Sequence, residues 1–226
     1  SIIKVVGDTR VDSVLSRRDG VTAPDFPKTW NKANVLIGGS IWPADIVCLR
    51  SVLLEALEEL PQLRLILVPH EPTEEHISEI QEIFSRYPIH LWSQGQREEF
   101  AKARVLIVDA IGVLSSLYAK ANLAFVGGAF TTGVHNIMEP AAFGLPTFFG
   151  PRFHNYATAV RFVEDKLAYS VQDAEELRSS MMPLLKEPDK AKELGLRARN
   201  LLEQEAGAAQ QCAELVRPFL LNSGNP

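Results

Sequence analysis

The stretch from Leu123 to Pro151, LAFVGGAFTTGVHNIMEPAAFGLPTFFGP, constrains the fold of this chain more than any other. It opens with the apolar run Leu123–Val126, which is typical of a strand buried in a parallel sheet. Gly127, Gly128 and Gly133 follow and would let backbone amides approach a ligand closely. A helix start comes next, and its positive end favours an anion such as phosphate. The order strand, glycine loop, helix therefore predicts an anion-binding unit of an α/β fold.

Glu139 lies on that predicted helix, where its carboxylate could accept hydrogen bonds from paired sugar hydroxyls. The spacing from Asn136 to Glu139 also matches a capping box, which is a purely structural device. Pro140 argues against the capping box, because with Asn136 as N-cap residue 140 should donate the first helical hydrogen bond and proline has no N–H. The sequence therefore favours a ligand role for Glu139, so that one unit would hold both ends of a nucleotide-sugar.

Short apolar runs alternate with helical periodicity over most of the chain, which indicates a parallel sheet covered on both faces. We therefore predict a Rossmann-like α/β fold. The predicted strands are Asn34–Gly38, Arg64–Pro69, Ile89–Trp92, Arg104–Asp109, Leu123–Val126, Pro146–Phe149 and, more weakly, Ala168–Val171. The predicted helices are Ala44–Leu60, Thr73–Tyr87 (with Thr73 as cap), Leu114–Ala121, Asn136–Phe143 and Asn155–Lys166, followed by a purely helical tail over Asp173–Leu221.

The domain prediction places the Rossmann-like unit with its C-terminal helices at residues 34–221. Residues 1–33 are predicted as a leading segment and linker from a missing N-terminal domain, and residues 222–226 as a tail. The chain starts at Ser1 rather than Met, and Ile2–Val6 is immediately strand-like, which suggests a cut from something longer.

Composition excludes several classes of function. A net charge of −5 without a basic stripe makes nucleic acid a poor partner. Cys48 and Cys212 lie in apolar helical patterns and are predicted to be free thiols. No apolar run approaches the roughly 20 residues that span a bilayer, and no signal peptide opens the chain, so we expect a soluble chain. The histidines lack metal-ligand spacing, so we expect no metal site, and no G-x-S-x-G turn is present.

Ligands of open parallel sheets bind beyond the carboxyl ends of the strands, where this chain repeatedly places glycine or polar residues. Each candidate has an alternative interpretation. The paired glycines are equally typical of a tight strand exit, His70 of a solvated loop, and His135 of a structural imidazole that bonds nearby backbone. For Asp109 we favour an Asx-type turn onto the amides of Gly112 and Val113. The candidates at these strand ends, besides Glu139, are Gly39, Ser40, Pro69, His70, Ile111, Gly112, Gly128, Gly133, His135 and Asn136.

The motifs together resemble those of the bacterial 3-deoxy-D-manno-octulosonic acid (Kdo) transferases, which are GT-B glycosyltransferases. The resemblance rests on VGGAF at 126–130, HNIMEPAAFGLP at 135–146 and FGP at 149–151. GDTRVD at 7–12, GGS at 38–40, VPH at 68–70, DAIG at 109–112 and LYAKA at 117–121 follow in the family's order. The His-Asn-x-x-Glu-Pro block is specific, whereas the glycine pairs alone are not.

The resemblance implies that this chain is the C-terminal, donor-binding half of such an enzyme, with CMP-Kdo as donor substrate and no cofactor. By that likeness Ser40 and the Pro69–His70 corner would contact the nucleotide, Ile111–Gly112 would meet the cytosine through backbone groups, and Asn136 with Glu139 would take the ribose or phosphate region. The lipid A precursor and the carboxylate base would belong to the missing N-terminal half, so no catalytic residue is expected here. The isolated fragment should then be inactive.

The likeness further implies a role in lipopolysaccharide biosynthesis at the cytoplasmic face of the inner membrane, with membrane association only through the missing half. His70 stands where the family typically has Arg, and the loop Ala129–Val134 lacks the usual Pro-Arg-Gly-Gly. Thr131 stands where many retaining GT-B enzymes carry a second glutamate, which fits the Kdo branch. The alternatives are a GT-B UDP-sugar transferase or epimerase domain, and a non-catalytic nucleotide-binding module.

Overall fold

A seven-stranded, all-parallel sheet forms the centre of the computed structural model, which describes residues 3–95 and 99–222. The strands are β1 (Asn34–Ile41), β2 (Leu63–Pro69), β3 (Ile89–Leu91), β4 (Val105–Ile107), β5 (Leu123–Val126), β6 (Thr147–Phe149) and β7 (Ala168–Ser170). Their order across the sheet is β3-β4-β2-β1-β5-β6-β7. All seven predicted strands are confirmed, with ends that differ by at most three residues.

Helices connect the strands and form the C-terminal tail. They are α1 (Thr9–Gly20), α2 (Pro43–Glu59), α3 (Glu74–Ile83), α4 (Leu114–Leu117), α5 (Met138–Ala142), α6 (Ala157–Glu164), α7 (Ala174–Lys186), α8 (Pro188–Gln204) and α9 (Ala208–Asn222). Short 3-10 turns lie at Lys28–Lys32, Trp92–Gln94, Glu99–Lys102 and Tyr118–Lys120. The predicted Rossmann-like fold is therefore confirmed.

The strands bury both faces because their apolar residues are continuous rather than alternating with polar ones. Successive side chains of a strand point to opposite faces, so the central strands β1, β2, β4 and β5 contribute residues to two cores. Leu36, Leu65 and Phe125 belong to the larger core, which α2 and α6 to α8 cover. Val35 and Ile66 belong to the smaller core, together with the aromatic residues of the linker and of the turn before β4. Helices or turns therefore cover both faces of the sheet.

Several predicted element boundaries need correction. Of the strand-like run Ile2–Val6, Ile2 lies outside the described residues, and residues 3–6 have no regular secondary structure, with Ile3 and Val5 exposed. The helices predicted to begin at Asn136 and Asn155 each begin two residues later, at Met138 and Ala157. The helix predicted to reach Tyr87 ends at Ile83. The Thr73 cap is confirmed, because its hydroxyl accepts a hydrogen bond from the backbone N–H of His76.

The two cysteines are free thiols, as predicted. Cys48 is buried in α2, and burial raises the pKa of its thiol to about 12. It therefore behaves as a small apolar side chain of the larger core rather than as a nucleophile.

Candidate functional site

The site lies at the carboxyl ends of β1 and β5, where the direction of strand order reverses. The chain runs from β1 to β2 on one side and later returns to place β5 on the other side of β1. Open α/β sheets bind ligands in the crevice at such a switch point. β1, β2 and β5 are adjacent strands, so the residues that follow them meet here. The segment after β4, residues 109–113 (the β4 loop), follows a strand two positions from β1.

An irregularity at the end of β1 forms one wall of the site. Ser40 has a positive φ of 52°, and the register with β2 shifts between Gly39 and Ile41. A non-glycine residue in this left-handed conformation is strained and persists only where its surroundings hold it. The loop that follows β5 comprises residues 127–136 and is called the glycine loop. It packs closely against Ser40 and holds it in this conformation, because the Ser40 carbonyl and the Ile41 Cα fill the space where a Cβ of Gly127 would lie.

Gly39 has a structural reason to be glycine. A Cβ there would lie 2.5 Å from the Tyr118 hydroxyl and 3.1 Å from a Leu114 methyl group. Close packing at the end of β1 therefore accounts for this glycine, in line with the tight strand exit considered above. That Gly39 contacts a ligand stays a prediction.

Asp45 joins the start of α2 to the glycine loop. Its Oδ2 accepts hydrogen bonds from the backbone N–H of Trp42 at 2.8 Å and of Gly128 at 2.9 Å. The residue is completely buried, and Oδ1 has no hydrogen-bond partner. Burial raises the pKa of this carboxyl despite the two backbone donors. Asp45 therefore fixes the glycine loop against β1.

Three rings stack beside the glycine loop. The His70 ring stacks on Trp42, at a centroid distance of 4.4 Å, and on His135, at 4.5 Å. The Trp42 Nε1–H also donates a hydrogen bond of 3.1 Å to His135 Nε2. His70 is exposed, as a loop residue would be, but its ring is held in the stack rather than freely solvated. The corner Pro69–His70 and the residue His135 therefore form one surface, although they lie in separate parts of the sequence.

The hydrogen bond from Trp42 determines the proton position on His135. Indole nitrogen only donates, so Nε2 of His135 must be the unprotonated acceptor and Nδ1 carries the ring proton. Burial lowers the pKa of His135, and the neighbouring His70 lowers it further. His135 is thus a neutral hydrogen-bond donor through Nδ1.

The glycine loop is also tied to the segment after β6. The backbone N–H of Arg152 donates to the Ala129 carbonyl at 2.9 Å, and the Arg152 carbonyl accepts from Val134 at 3.0 Å. The Arg152 guanidinium donates to the Thr131 carbonyl. Gly133 is buried, and a Cβ there would lie 3.2 Å from the Tyr156 ring. The loop lacks the family's arginine in its own sequence, but Arg152 brings a cation to it from the next loop.

Glu139 caps no backbone group. Its Oε1 accepts hydrogen bonds from the side chains of Arg17, at 3.1 Å, and Asn136, at 3.3 Å. Asn136 Oδ1 accepts from the backbone N–H of Met138, which places the first turn of α5 beyond it. Because α5 begins at Met138, Pro140 falls within its first turn, where no intrahelical donor is needed. The capping-box interpretation is therefore wrong, and both recorded bonds leave Glu139 Oε2 free to accept from a ligand.

Tyr118 lies beneath this part of the site. It is buried, and desolvation together with the charge of Glu139 raises the pKa of its phenol, so it remains protonated. Since its hydroxyl also lies against Gly39, Tyr118 connects the end of β1 with α5. Tyr118 is therefore a buried, protonated neighbour of Glu139.

The β4 loop is open. Ile111 has 86% of its surface exposed, and no atom lies within 4 Å of where a Cβ of Gly112 would be. The predicted Asx turn of Asp109 is wrong, because its carboxylate accepts hydrogen bonds from the backbone N–H and the hydroxyl of Ser93. This loop therefore presents backbone and an apolar side chain to solvent.

Among the predicted residues, the structure brings Ser40, His70, His135, Asn136 and Glu139 to the β1–β5 crevice. Gly39, Pro69, Gly128 and Gly133 are buried around it and shape its walls. Ile111 and Gly112 lie apart, on the β4 loop.

Sequence reasoning missed Arg17, Trp42, Asp45 and Tyr118. Only Asp45 had a local signal, because an acid two positions after Pro43 is typical of the first turn of a helix.

No group of three or more histidine, cysteine, aspartate or glutamate side chains could hold a metal ion in the described part of the chain. Among the helices of residues 3–95 and 99–222, none has the length and apolar character needed to cross a membrane.

Comparison with known proteins identifies the class of fold. The chain superimposes on a putative UDP-N-acetylglucosamine 2-epimerase from Listeria monocytogenes with a TM-score of 0.64 over 95% of this chain and 53% of that one, at 13% identity. That likeness concerns the fold alone. A closer sequence match comes from the C-terminal CMP-Kdo binding domain of WaaA from Acinetobacter baumannii, with a TM-score of 0.66, 28% identity, and coverage of 84% of this chain and 98% of that domain. The fold is the C-terminal Rossmann-like domain of GT-B glycosyltransferases.

Sequence comparison gives the particular relatives. The chain is 30% identical over 156 residues to the 3-deoxy-D-manno-octulosonic acid transferase of Aquifex aeolicus, which covers 68% of this chain and 42% of that protein. It spans less than half the length of the curated relatives that it matches first. No protein-family model matches the sequence. The resemblance to Kdo transferases that the motifs indicated is therefore confirmed.

Proposed function

We propose that this chain is the donor-binding domain of a Kdo transferase, which moves Kdo from CMP-Kdo to a lipid A precursor in lipopolysaccharide biosynthesis. The observation that carries the proposal is that Oε2 of Glu139 is left to accept a hydrogen bond from a ligand, since both bonds to Glu139 use Oε1. Its carboxylate lies at the start of α5, caps no backbone group, and keeps one oxygen without a recorded partner. The names of the relatives, Kdo transferase and CMP-Kdo binding domain, support this donor over a UDP-sugar.

In this proposal the crevice and the separate β4 loop divide the donor between them. Ser40 and the His70–His135 surface take the phosphate, Asn136 and Glu139 the ribose, and the β4 loop the cytosine. His135 offers Nδ1–H to a phosphate oxygen, because Trp42 holds its Nε2. Donors placed where charge develops stabilise the leaving CMP phosphate during transfer.

We further propose that residues 34–221 form the donor domain and that residues 1–33 lead into it from an acceptor domain. The acceptor site and the carboxylate that removes the acceptor proton would belong to that other domain. The chain alone should then bind donor and transfer nothing. In the cell the complete enzyme would work at the cytoplasmic face of the inner membrane, where its lipid acceptor would be held.

Calorimetric titration with CMP, UMP and UDP tests the proposal on the wild type and on Glu139→Ala. We expect CMP to bind best and Glu139→Ala to cost about 1.5–3 kcal/mol, since a charge-assisted hydrogen bond is lost. That corresponds to roughly tenfold or more in affinity. Glu164→Ala, on the later helix α6, is the matched control and should leave the affinity unchanged. Preference for UDP would instead indicate a UDP-sugar transferase or epimerase, and no nucleotide binding a non-catalytic module.

A further inference from the structure

A cavity of about 410 Å³ opens beside the crevice, between α1, the end of the glycine loop and the first turn of α6. Its volume is within the range of about 300–1,000 Å³ that is usual for small-molecule sites. His135 and Asn136 line both the cavity and the crevice, so a ligand in the crevice can extend into the cavity. The role proposed above accounts for the crevice and leaves this cavity without an occupant.

The polar lining of the cavity suits an acid that also carries hydroxyl groups. Arg10 and Arg17 reach it from α1, and Ser13, Tyr156 and Thr158 add hydroxyls. Apolar side chains, among them Val14 and Ile137, complete the walls. Guanidinium groups match carboxylates in geometry as well as in charge.

Arg17 has hydrogen-bonding capacity left for such an acid. The structure records one bond from its guanidinium, from Nη1 to Glu139, and 61% of the side chain is exposed. Arg10 is more fully engaged, because its Nε and Nη2 both bond to Asp8. Arg17 is therefore the stronger candidate ligand, and Arg10 adds positive charge at the rim.

The first turn of α6 adds donors on the opposite wall. Tyr156 is its N-cap, and no side chain caps the helix. The leading N–H groups of an uncapped helix lack intrahelical partners and favour negative charge. Thr158 and Ala159, in that turn, both line the cavity.

We propose that this cavity receives the acid sugar of the nucleotide donor and that Arg17 binds its carboxylate. This inference rests on the proposed function, and it assigns the recognition of the sugar acid to α1. Arg17 would then contact the sugar acid directly while holding Glu139, the proposed ribose ligand. A neutral sugar of the same size would leave the Arg17 guanidinium without its second anionic partner.

The test uses the free sugar, 3-deoxy-D-manno-octulosonic acid, and its uncharged C1 methyl ester as probes in protein-observed NMR titrations of the full 226-residue chain. We expect the acid to bind about tenfold or more tightly than the ester, because only the acid offers a charge-assisted partner. Arg17→Gln should abolish that preference, and Arg10→Gln should reduce it less. Arg86→Gln, beyond α3 on the other side of the sheet centre, is the control.

A second variant tests the cavity without removing a charge. Ser13→Trp should fill it and prevent binding of both probes, whereas Ser16→Trp, exposed on the same helix outside the cavity lining, should not. Equal affinity for acid and ester, or a preference that survives Arg17→Gln, would overturn the inference. CMP titrated into the same samples reports separately on the proposed function, because neither probe carries a nucleotide.

Discussion

The glycine loop and the β4 loop are both predicted to contact the donor, yet they are built in opposite ways. In the glycine loop, neighbouring backbone and Asp45 occupy the space around Gly127, and hydrogen bonds from three other segments hold the chain. In the β4 loop, Gly112 faces open space and Ile111 is exposed. The glycine loop is therefore preorganised, whereas the β4 loop is available to adjust. This division suits a ligand with a charged phosphate at one end and a flat base at the other.

Gly127→Ala should break the preorganised side most severely. A Cβ there would overlap the Ser40 carbonyl and lie 2.7 Å from the Ile41 Cα, and both are backbone atoms that cannot turn aside. We expect a loss of about 3 kcal/mol or more in the free energy of unfolding. Urea denaturation measures it as a lower midpoint.

Gly20→Ala is the matched control for this change. Gly20 ends α1, and nothing lies within 4 Å of its Cβ position. Alanine there should be neutral or stabilising by up to about 1 kcal/mol. A midpoint for Gly127→Ala equal to that of Gly20→Ala would show that the loop yields easily.

Asp45→Ala should loosen the same side without a steric clash. It removes the acceptor from the half-buried backbone N–H of Trp42 and from the buried backbone N–H of Gly128, at about 1–3 kcal/mol each. The relief from burying a carboxylate offsets part of that loss, so we expect about 2–4 kcal/mol in total. Asp45→Asn retains an acceptor and should lie between wild type and Asp45→Ala.

The pH dependence separates these two effects of Asp45. Burial raises its folded pKa above 3.8, so the unfolded state releases the proton first as pH rises. The wild type should therefore lose stability relative to Asp45→Asn as pH increases from 3.8 through the raised pKa. A difference between the two proteins that stays constant over this range would mean that the carboxyl is not desolvated.

Most of the fold could be predicted because its signals are local. Most strands carry a continuous apolar run, and a helical pattern follows each predicted strand except the one at Ile89–Trp92. This alternation leaves a parallel sheet as the consistent architecture. The strand-like prediction is wrong over residues 3–6, because a short apolar run does not form a strand without a neighbour to pair with, and these residues have none among the described strands.

The site could be predicted in part, since strand ends locate it but long-range contacts define it. His70 and His135 are visible as candidates, whereas their stacking with Trp42 joins three segments of the chain. Arg17 meets Glu139 across 122 positions of sequence, and no local pattern indicates this. The partner of Asp109 could not be predicted for the same reason, because it accepts its hydrogen bond from Ser93, which is distant in sequence.

Gly112→Ala sharpens the comparison at the open side, with the smallest expected effect on stability. Its φ of 86° strains any residue with a Cβ, so we expect a loss of about 1–2 kcal/mol, well below that of Gly127→Ala. The added methyl group has free space in the unliganded protein, but it would occupy space that a base needs in order to approach the loop backbone. The variant should remain folded at the assay temperature, so its lower stability alone would not change CMP affinity. CMP affinity should nevertheless fall. Unchanged CMP affinity would place the base elsewhere and would leave the β4 loop as an ordinary exposed turn.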